Sequence, residues 1–282
     1  MFDMPLPTHA RTLPLQQSPA YARTLRALGQ KARIVHGDGV GQMAVVTRQT
    51  PFGPLRAAMR GPLWETPDPR DRVDFLRRHR VHLHNPEDDA PDTMRAAGFW
   101  QVMTPGTVGL MDLTRDPVAA MHGKWRNAWR SAARADLRVQ SGPFEPARDN
   151  WILALDGAQQ RVRGFRGYPH AFTHAFAAQN PDAALCYVAY QERSQIAAMI
   201  FLLHAPTATY HIGWTGEDGR RCNAHRLLLI QAARDLSARG MTTLDLGQID
   251  TRRAPGLARF KLGAGAQPVT LGGTWVRLPW CR

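Results

Sequence analysis

The chain is short of lysine, of acidic side chains and of cysteine, and it has no long apolar run. Each shortage excludes something. No stretch approaches the roughly 18 consecutive apolar residues of a membrane-spanning helix, so no span is expected. The opening residues, MFDMPLPTHARTL, have neither the basic start nor the apolar centre of a secretory signal, which points to a soluble, cytoplasmic protein. The cysteines, Cys186, Cys222 and Cys281, are odd in number and far apart. That pattern fits neither a disulfide framework nor a zinc site, so reduced thiols are expected, with Cys281 inert. His79, His82 and His84, with Asp88 and Asp89 beyond, have no recognised metal-ligand spacing and read as a polar strand face. No metal and no tightly bound cofactor is expected.

Acidic residues number 23 against 36 basic ones, for a net charge of +13. Such a balance attracts phosphates: nucleic acid, tRNA, coenzyme A, nucleotide sugars or anionic lipid. The plain alternative is a spread of arginines that binds nothing. Only three of the 36 basic residues are lysine, namely Lys31, Lys124 and Lys261. Where arginine serves for any positive charge, a lysine that remains is a candidate for a role needing a compact ammonium of adjustable pKa.

At 282 residues, 44% hydrophobic and 21% charged, the composition is globular. The length suits two domains of about 140 residues each. Ser18-Pro19 opens a helix that stops at Gly29, Ser being a favoured N-cap and Pro a favoured first residue. Two strands, Lys31 to Val35 and Gln42 to Thr47, flank a His-Gly-Asp-Gly turn. Asp116-Pro117 reads as the start of a helix to about Ala133, with Trp125, Trp129 and Ala132 as its buried stripe. Arg126 and Arg130 lie together beside that stripe, where two guanidiniums suit a phosphate or carboxylate. Ser141-Gly142-Pro143 breaks the pattern and is the expected boundary between residues 1–140 and 141–282. Beyond it come two helices, three strands, a helix apolar nearly all round from Ala224 to Arg239, and a strand ending in Asp245-Leu246-Gly247. Each half runs helix, antiparallel strands, helix, strand. That order predicts an α+β fold built from a duplicated unit.

The turn Arg220-Arg221-Cys222-Asn223-Ala224-His225 leads into the apolar helix. Free amides at a helix start, the positive end of its dipole and two arginines make a donor-pyrophosphate site in principle. A solvent loop before a core helix is the alternative.

Taken together, these pieces resemble the GNAT acetyltransferase fold and, more closely, the FemAB branch of peptidoglycan aminoacyltransferases, which carries two GNAT-like domains in tandem. Four stretches carry the likeness: KWRNAWRSA from Lys124 to Ala132, the Thr107–Leu113 strand ending in Asp-Leu, the Asp-Leu-Gly at Asp245, and GLARFKLGAG from Gly256 to Gly265. Gln248 and Ala264 stand where the family favours Gly and Phe. The turn before the apolar helix has no glycine within it, and the long helical arm of some Fem enzymes is absent.

The resemblance implies direct transfer, an amine attacking a thioester or ester carbonyl. It places Phe260 and Lys261 near the reacting carbonyl, where Lys261 would stabilise the oxyanion. Asp112 is a candidate base by position, its alternative being a role in the fold. Lys124, Arg126, Asn127 and Arg130, with Asp245, are candidates for contact with substrate; the basic three would otherwise close one domain on the other. The donor is expected to be acyl-CoA, with aminoacyl-tRNA as the alternative, and the acceptor a small-molecule or peptide amine. A non-catalytic, RNA-binding protein on the same scaffold is the alternative of another class.

Overall fold

The computed structural model describes residues 12–87 and 91–277. After a 3-10 turn, α1 (Pro19–Ala27) starts where the Ser18 hydroxyl accepts the Tyr21 amide. β1 (Lys31–Gly37), β2 (Gly41–Thr50) and β3 (Gly53–Met59) form an antiparallel meander, and β4 (Leu63–Trp64) pairs back onto β2. α2 (Pro69–His79) starts on Asp68, whose carboxylate caps the Arg70 amide. The chain continues through β5 (Leu83–Asn85), α3 (Pro91–Ala96), β6 (Trp100–Met103), β7 (Thr107–Asp112), α4 (Gly123–Arg134) and β8 (Arg138–Pro143). Next come α5 (Pro146–Arg163), α6 (His170–Gln179), β9 (Ala184–Gln191), β10 (Ser194–His204) and β11 (Thr207–Thr215). The last part holds α7 (Glu217–Arg221), α8 (Ala224–Ala238), β12 (Thr243–Gln248), α9 (Pro255–Gly263), β13 (Gln267–Thr270) and β14 (Thr274–Val276).

These strands make two mixed seven-stranded sheets. The first runs β1-β2-β3-β5-β14-β6, with β4 on β2; the second runs β13-β7-β12-β11-β10-β9-β8. The halves exchange strands. β7, from early in the chain, lies between β12 and β13, and β14, from the end, lies between β5 and β6. The expected α+β class is therefore met, but the expected division at residues 140/141 is not where the sheets divide. Ser141 to Pro143 lies inside β8, paired to Tyr187, Cys186 and Leu185 of β9. Gly and Pro are tolerated there because β8 is an edge strand, whose outer amides bond no neighbour.

The second sheet holds the largest core. Leu228, Leu229, Ala232, Ala233 and Leu236 of α8 are fully buried against it, as an all-round apolar helix requires. At about 1.5–3 kcal/mol for each large apolar side chain, this layer is what fixes α8 against β9, β10 and β11. The helix expected from Pro117 begins later, at Gly123. Asp116 caps a turn instead, accepting the Val118 amide at 3.1 Å. The chain is then held against α9, the His122 amide donating to Gly263 O at 3.0 Å. Trp125 packs so closely on Gly263 that a Cβ there would lie 2.6 Å from its ring. The stripe is otherwise as expected: Trp125 and Ala132 are buried and Trp129 packs partly buried on the same core.

Among the described residues no helix is long and apolar enough to cross a membrane. Cys186 and Cys222 are free thiols. Cys281, Asp88, Asp89 and residues 1–11 lie outside the described residues.

Candidate functional site

β11 and β12 pair in parallel over three rungs, Thr207 with Thr243, Ala208 with Leu244 and Thr209 with Asp245, and then separate. β12 runs on to Gln248 against β7, while β11 runs on against β10. His211 is an extra residue in β11, since Ile200 faces Ile212 and Phe201 faces Tyr210. Such a bulge bends its strand, which helps β11 turn away from its neighbour. The opening past Asp245 is bordered by the far ends of both strands, and α9 delivers Lys261 to it.

Lys261 is only 4% exposed, and its Nζ donates to Gln248 O at 2.8 Å. Burial pushes its pKa down to about 8, with the Asp245 carboxylate opposing the fall. An ammonium has three donors, so two N–H groups remain after the bond to Gln248.

Asp245 was expected to touch substrate, but both its oxygens are engaged within the protein. Oδ1 accepts the Gly247 amide at 2.7 Å, and Oδ2 accepts Arg60 Nη1 at 2.5 Å. Arg60, the residue after β3, has a left-handed φ of 55° and also grips Glu87 through Nε (2.8 Å) and Nη2 (2.6 Å). A planar guanidinium is suited to such a fork. The arginine thus joins the first sheet to the last rung of the parallel pair. His204 closes the other side of that rung, its Nε2 2.8 Å from Thr209 Oγ1, and burial lowers its pKa to about 4.

The other expected residues scatter. Phe260 is half-buried between Trp125 (ring centroids 5.7 Å apart) and His225 (6.2 Å), an aromatic wall at the start of α8. Asp112 is not brought to the opening. It pairs with Thr243 at the opposite end of β12 and caps its own turn, accepting Thr114 N and Oγ1 at 2.8 and 2.6 Å. Lys124, Asn127 and Arg130 are exposed on α4. Arg126 staples the preceding turn, Nη2 donating to the Ala119 and Met121 carbonyls. Asn127 and Arg130, with Ser131 and Arg134, line a shallow basic cavity of about 580 Å³.

The turn at Arg220–His225 departs most from expectation. Its first part is helix α7, and three of its amides are used internally: Arg220 N bonds Gly216 O, Cys222 N bonds Asp218 O and Asn223 N bonds Arg220 O. Arg221 pairs with Asp218 at 2.6 Å, and Arg220 donates to Thr215 O at 2.9 Å. His225 Nε2 donates to Trp214 O at 2.7 Å, and burial lowers its pKa to about 4. Ala224 is fully buried.

The sequence pattern did not disclose Arg60, Glu87 and His204, nor Asp156, which sits on the buried stripe of α5 with Asp149, Ile152 and Leu153. For Asp156 there was a signal, an acid at a core-facing position. Among the described residues no cluster of His, Cys, Asp and Glu could hold a metal ion. His82 and His84, expected on one strand face with His79 nearby, go to different places: His84 is fully buried against Phe99, His82 Nδ1 accepts the Arg56 amide, and His79 packs on Phe75.

The acetyltransferase (GNAT) domain family matches residues 119–267, more than half of the chain. No curated protein sequence matches. Among solved structures, FemX superposes with a TM-score of 0.76 at 12% identity, covering 93% of this chain and 91% of FemX. L-PGS from Bacillus licheniformis gives 0.57 at 13% identity, covering 93% and 89%. A tandem GNAT protein from the clavulanic acid biosynthesis pathway gives 0.55 at 13% identity, covering 96% and 90%. These likenesses establish the architecture as two GNAT-like domains in one chain.

Proposed function

The chain belongs to the GNAT acetyltransferase-domain family and is an acyltransferase, and on that premise we propose that it acylates a primary amine in the opening between β11 and β12. The observation that carries this reading is Lys261, a buried ammonium with two N–H groups that no described residue accepts, at the point where the strands part. The acceptor nitrogen attacks the carbonyl carbon, and the bond from that carbon to the leaving oxygen or sulfur breaks. The proton lost by the amine ends on the leaving atom. Lys261 faces the negative charge that develops on the carbonyl oxygen, in a site dry enough to strengthen the interaction.

The donor in this reading is an aminoacyl ester on tRNA, reversing the order expected from sequence. Acyl-CoA needs a cradle of free amides for its pyrophosphate and backbone partners for the amides of its pantetheine arm. Here the Arg220, Cys222 and Asn223 amides of the turn are bonded within it, and α7 opens on Glu217 and Asp218. The carbonyls of Gly213, Trp214 and Thr215 already accept from Gln159, His225 and Arg220. A tRNA needs neither, and the exposed Lys124, Arg130 and Arg134 of α4 offer a basic face to its backbone. Acyl-CoA remains the second reading, favoured by the strand–turn–helix order itself. Thermal shift and transfer assays with charged tRNA and with acyl-CoAs separate the two, because a ligand of the native state raises Tm. Stabilisation and turnover with acyl-CoA alone would make acyl-CoA the donor.

A further inference from the structure

Three carboxylates are buried among the described residues, Asp149, Asp156 and Asp245, at 1%, 4% and 2% exposure. A charge taken out of water must be matched by a cation or by several donors. Asp149 has both, accepting Arg148 Nε and Nη2 at 2.8 Å each and the Glu145 amide at 2.9 Å. Asp245 has Arg60 and the Gly247 amide. Among the described residues no arginine or lysine pairs with Asp156. Its Oδ2 accepts Gln160 Nε2 at 2.6 Å, and His170 Nε2 stands 3.7 Å away, outside hydrogen-bond reach. Its Oδ1 accepts no hydrogen bond from the described residues and is not among their buried unpartnered atoms, so water, and a ligand, can reach it.

The position of this carboxylate matters as much as its missing cation. Asp156 lies on α5 within one turn of Gln159, whose Nε2 donates to Gly213 O at 3.2 Å, on the part of β11 that β12 has already left. The Tyr210 hydroxyl occupies the space beside Gly213, where a Cβ would have to sit. Gln160 holds Asp156 with its amide nitrogen and the α5–α6 loop with its amide oxygen, which accepts Gly167 N at 3.0 Å. The carboxylate is therefore held in one orientation on a helix that packs on β11 where that strand borders the opening, with one oxygen that no described residue bonds.

We infer that Asp156 binds the acceptor, its open oxygen receiving the protonated primary amine of the incoming substrate beside Tyr210 and Gln159 and taking one of its protons, so that the neutral nitrogen attacks the carbonyl and its second proton passes to the leaving atom. The substrate brings the cation that the fold omits. This inference rests on the transfer reading for the same opening, so its test is a binding measurement that needs no turnover. Glycyl-L-lysinamide is titrated into ¹⁵N-labelled protein. Amide shifts confined to residues 156–160 and 170 are expected, and they are expected to vanish in Asp156→Asn. That variant keeps the acceptor for Gln160 and removes the uncompensated charge, so its Tm should equal or exceed that of the parent, which a merely structural carboxylate would not allow. In the transfer assay KM for the amine should rise about tenfold or more, as for a lost charged hydrogen bond. No shifts in the parent protein, equal affinity in Asp156→Asn, or a fall in Tm that matches the loss would overturn the inference. Failure of the transfer reading looks different: the parent protein would transfer no acyl group to the amine from charged tRNA or acyl-CoA, while the amine titration still depends on Asp156.

Discussion

The two sheets contain the same device in two states. Each has a three-rung parallel pair, β3 with β5 in the first and β11 with β12 in the second. Each has a strand from the other half of the chain directly beyond it, β14 in the first and β7 in the second. The two pairs differ past their last rungs. In the first sheet that place is taken by Arg60, tied to Glu87 and reaching across to Asp245. The middle rung there carries His84, fully buried, with a pKa lowered to about 3 by burial. In the second sheet the strands part around Gly247, Gln248 and the ammonium of Lys261. One duplicated opening is filled by its own side chains, and the other is left bordered by an ammonium with two N–H groups that no described residue accepts. The filled one serves the open one, since Arg60 fixes the carboxylate that sits in the field of Lys261.

Breaking that link should have the largest effect. Arg60→Ala leaves Asp245 buried without its cation, a change that costs about 3–5 kcal/mol in comparable pairs. Urea denaturation reads it, and a loss below about 1 kcal/mol would show that the two sheets do not depend on the pair. Gly219→Ala comes next. A Cβ at Gly219 would lie 2.2 Å from Ile196 O, pushing α7 off the sheet at a cost of about 1–3 kcal/mol.

The pH dependence distinguishes the openings further. Lys261 is an ammonium below about pH 8, so kcat should fall on the alkaline side with a midpoint there, tenfold for each further pH unit. Lys261→Arg should move that limb out of range. Stability has the opposite sign: the folded pKa lies below the 10.5 of free lysine, so this group's contribution is lost as pH falls through about 8 and is recovered as pH rises to 10.5. The smallest effect is expected on the basic face of α4. Arg130→Ala with Arg134→Ala should weaken tRNA binding severalfold and lower its salt slope by about one to two. An unchanged slope would remove α4 from the tRNA path.

Much of this fold could be read from local pattern. Ser18, Asp68 and the apolar run after Asn223 mark their helices because caps and burial periodicity act within a few residues. The start of α4 could not be read. Asp116-Pro117 satisfies every local rule for a helix start, and contact with α9, more than a hundred residues later, overrides it. The strand exchange was equally hidden, since the short β14 has meaning only beside β5 and β6. At the site, lysine scarcity pointed to three positions, and one of them, Lys261, is buried while Lys31 and Lys124 are exposed. Arg60 carried no signal at all. It is one arginine among many, and its role arises from a left-handed turn that aims it between the sheets. Asp156 could have been found, because an acid on an apolar stripe is rare without a reason.

The central claim is that Lys261 acts on the reacting carbonyl. The direct measurement is acyl transfer from charged tRNA, or from acyl-CoA if that is the donor used, to an amine by the Lys261→Ala protein. The account predicts a fall in kcat of about 10²–10³, the usual cost of one oxyanion donor, with donor affinity and Tm near those of the parent. Turnover within about twofold of the parent, in a protein of unchanged stability, would contradict it.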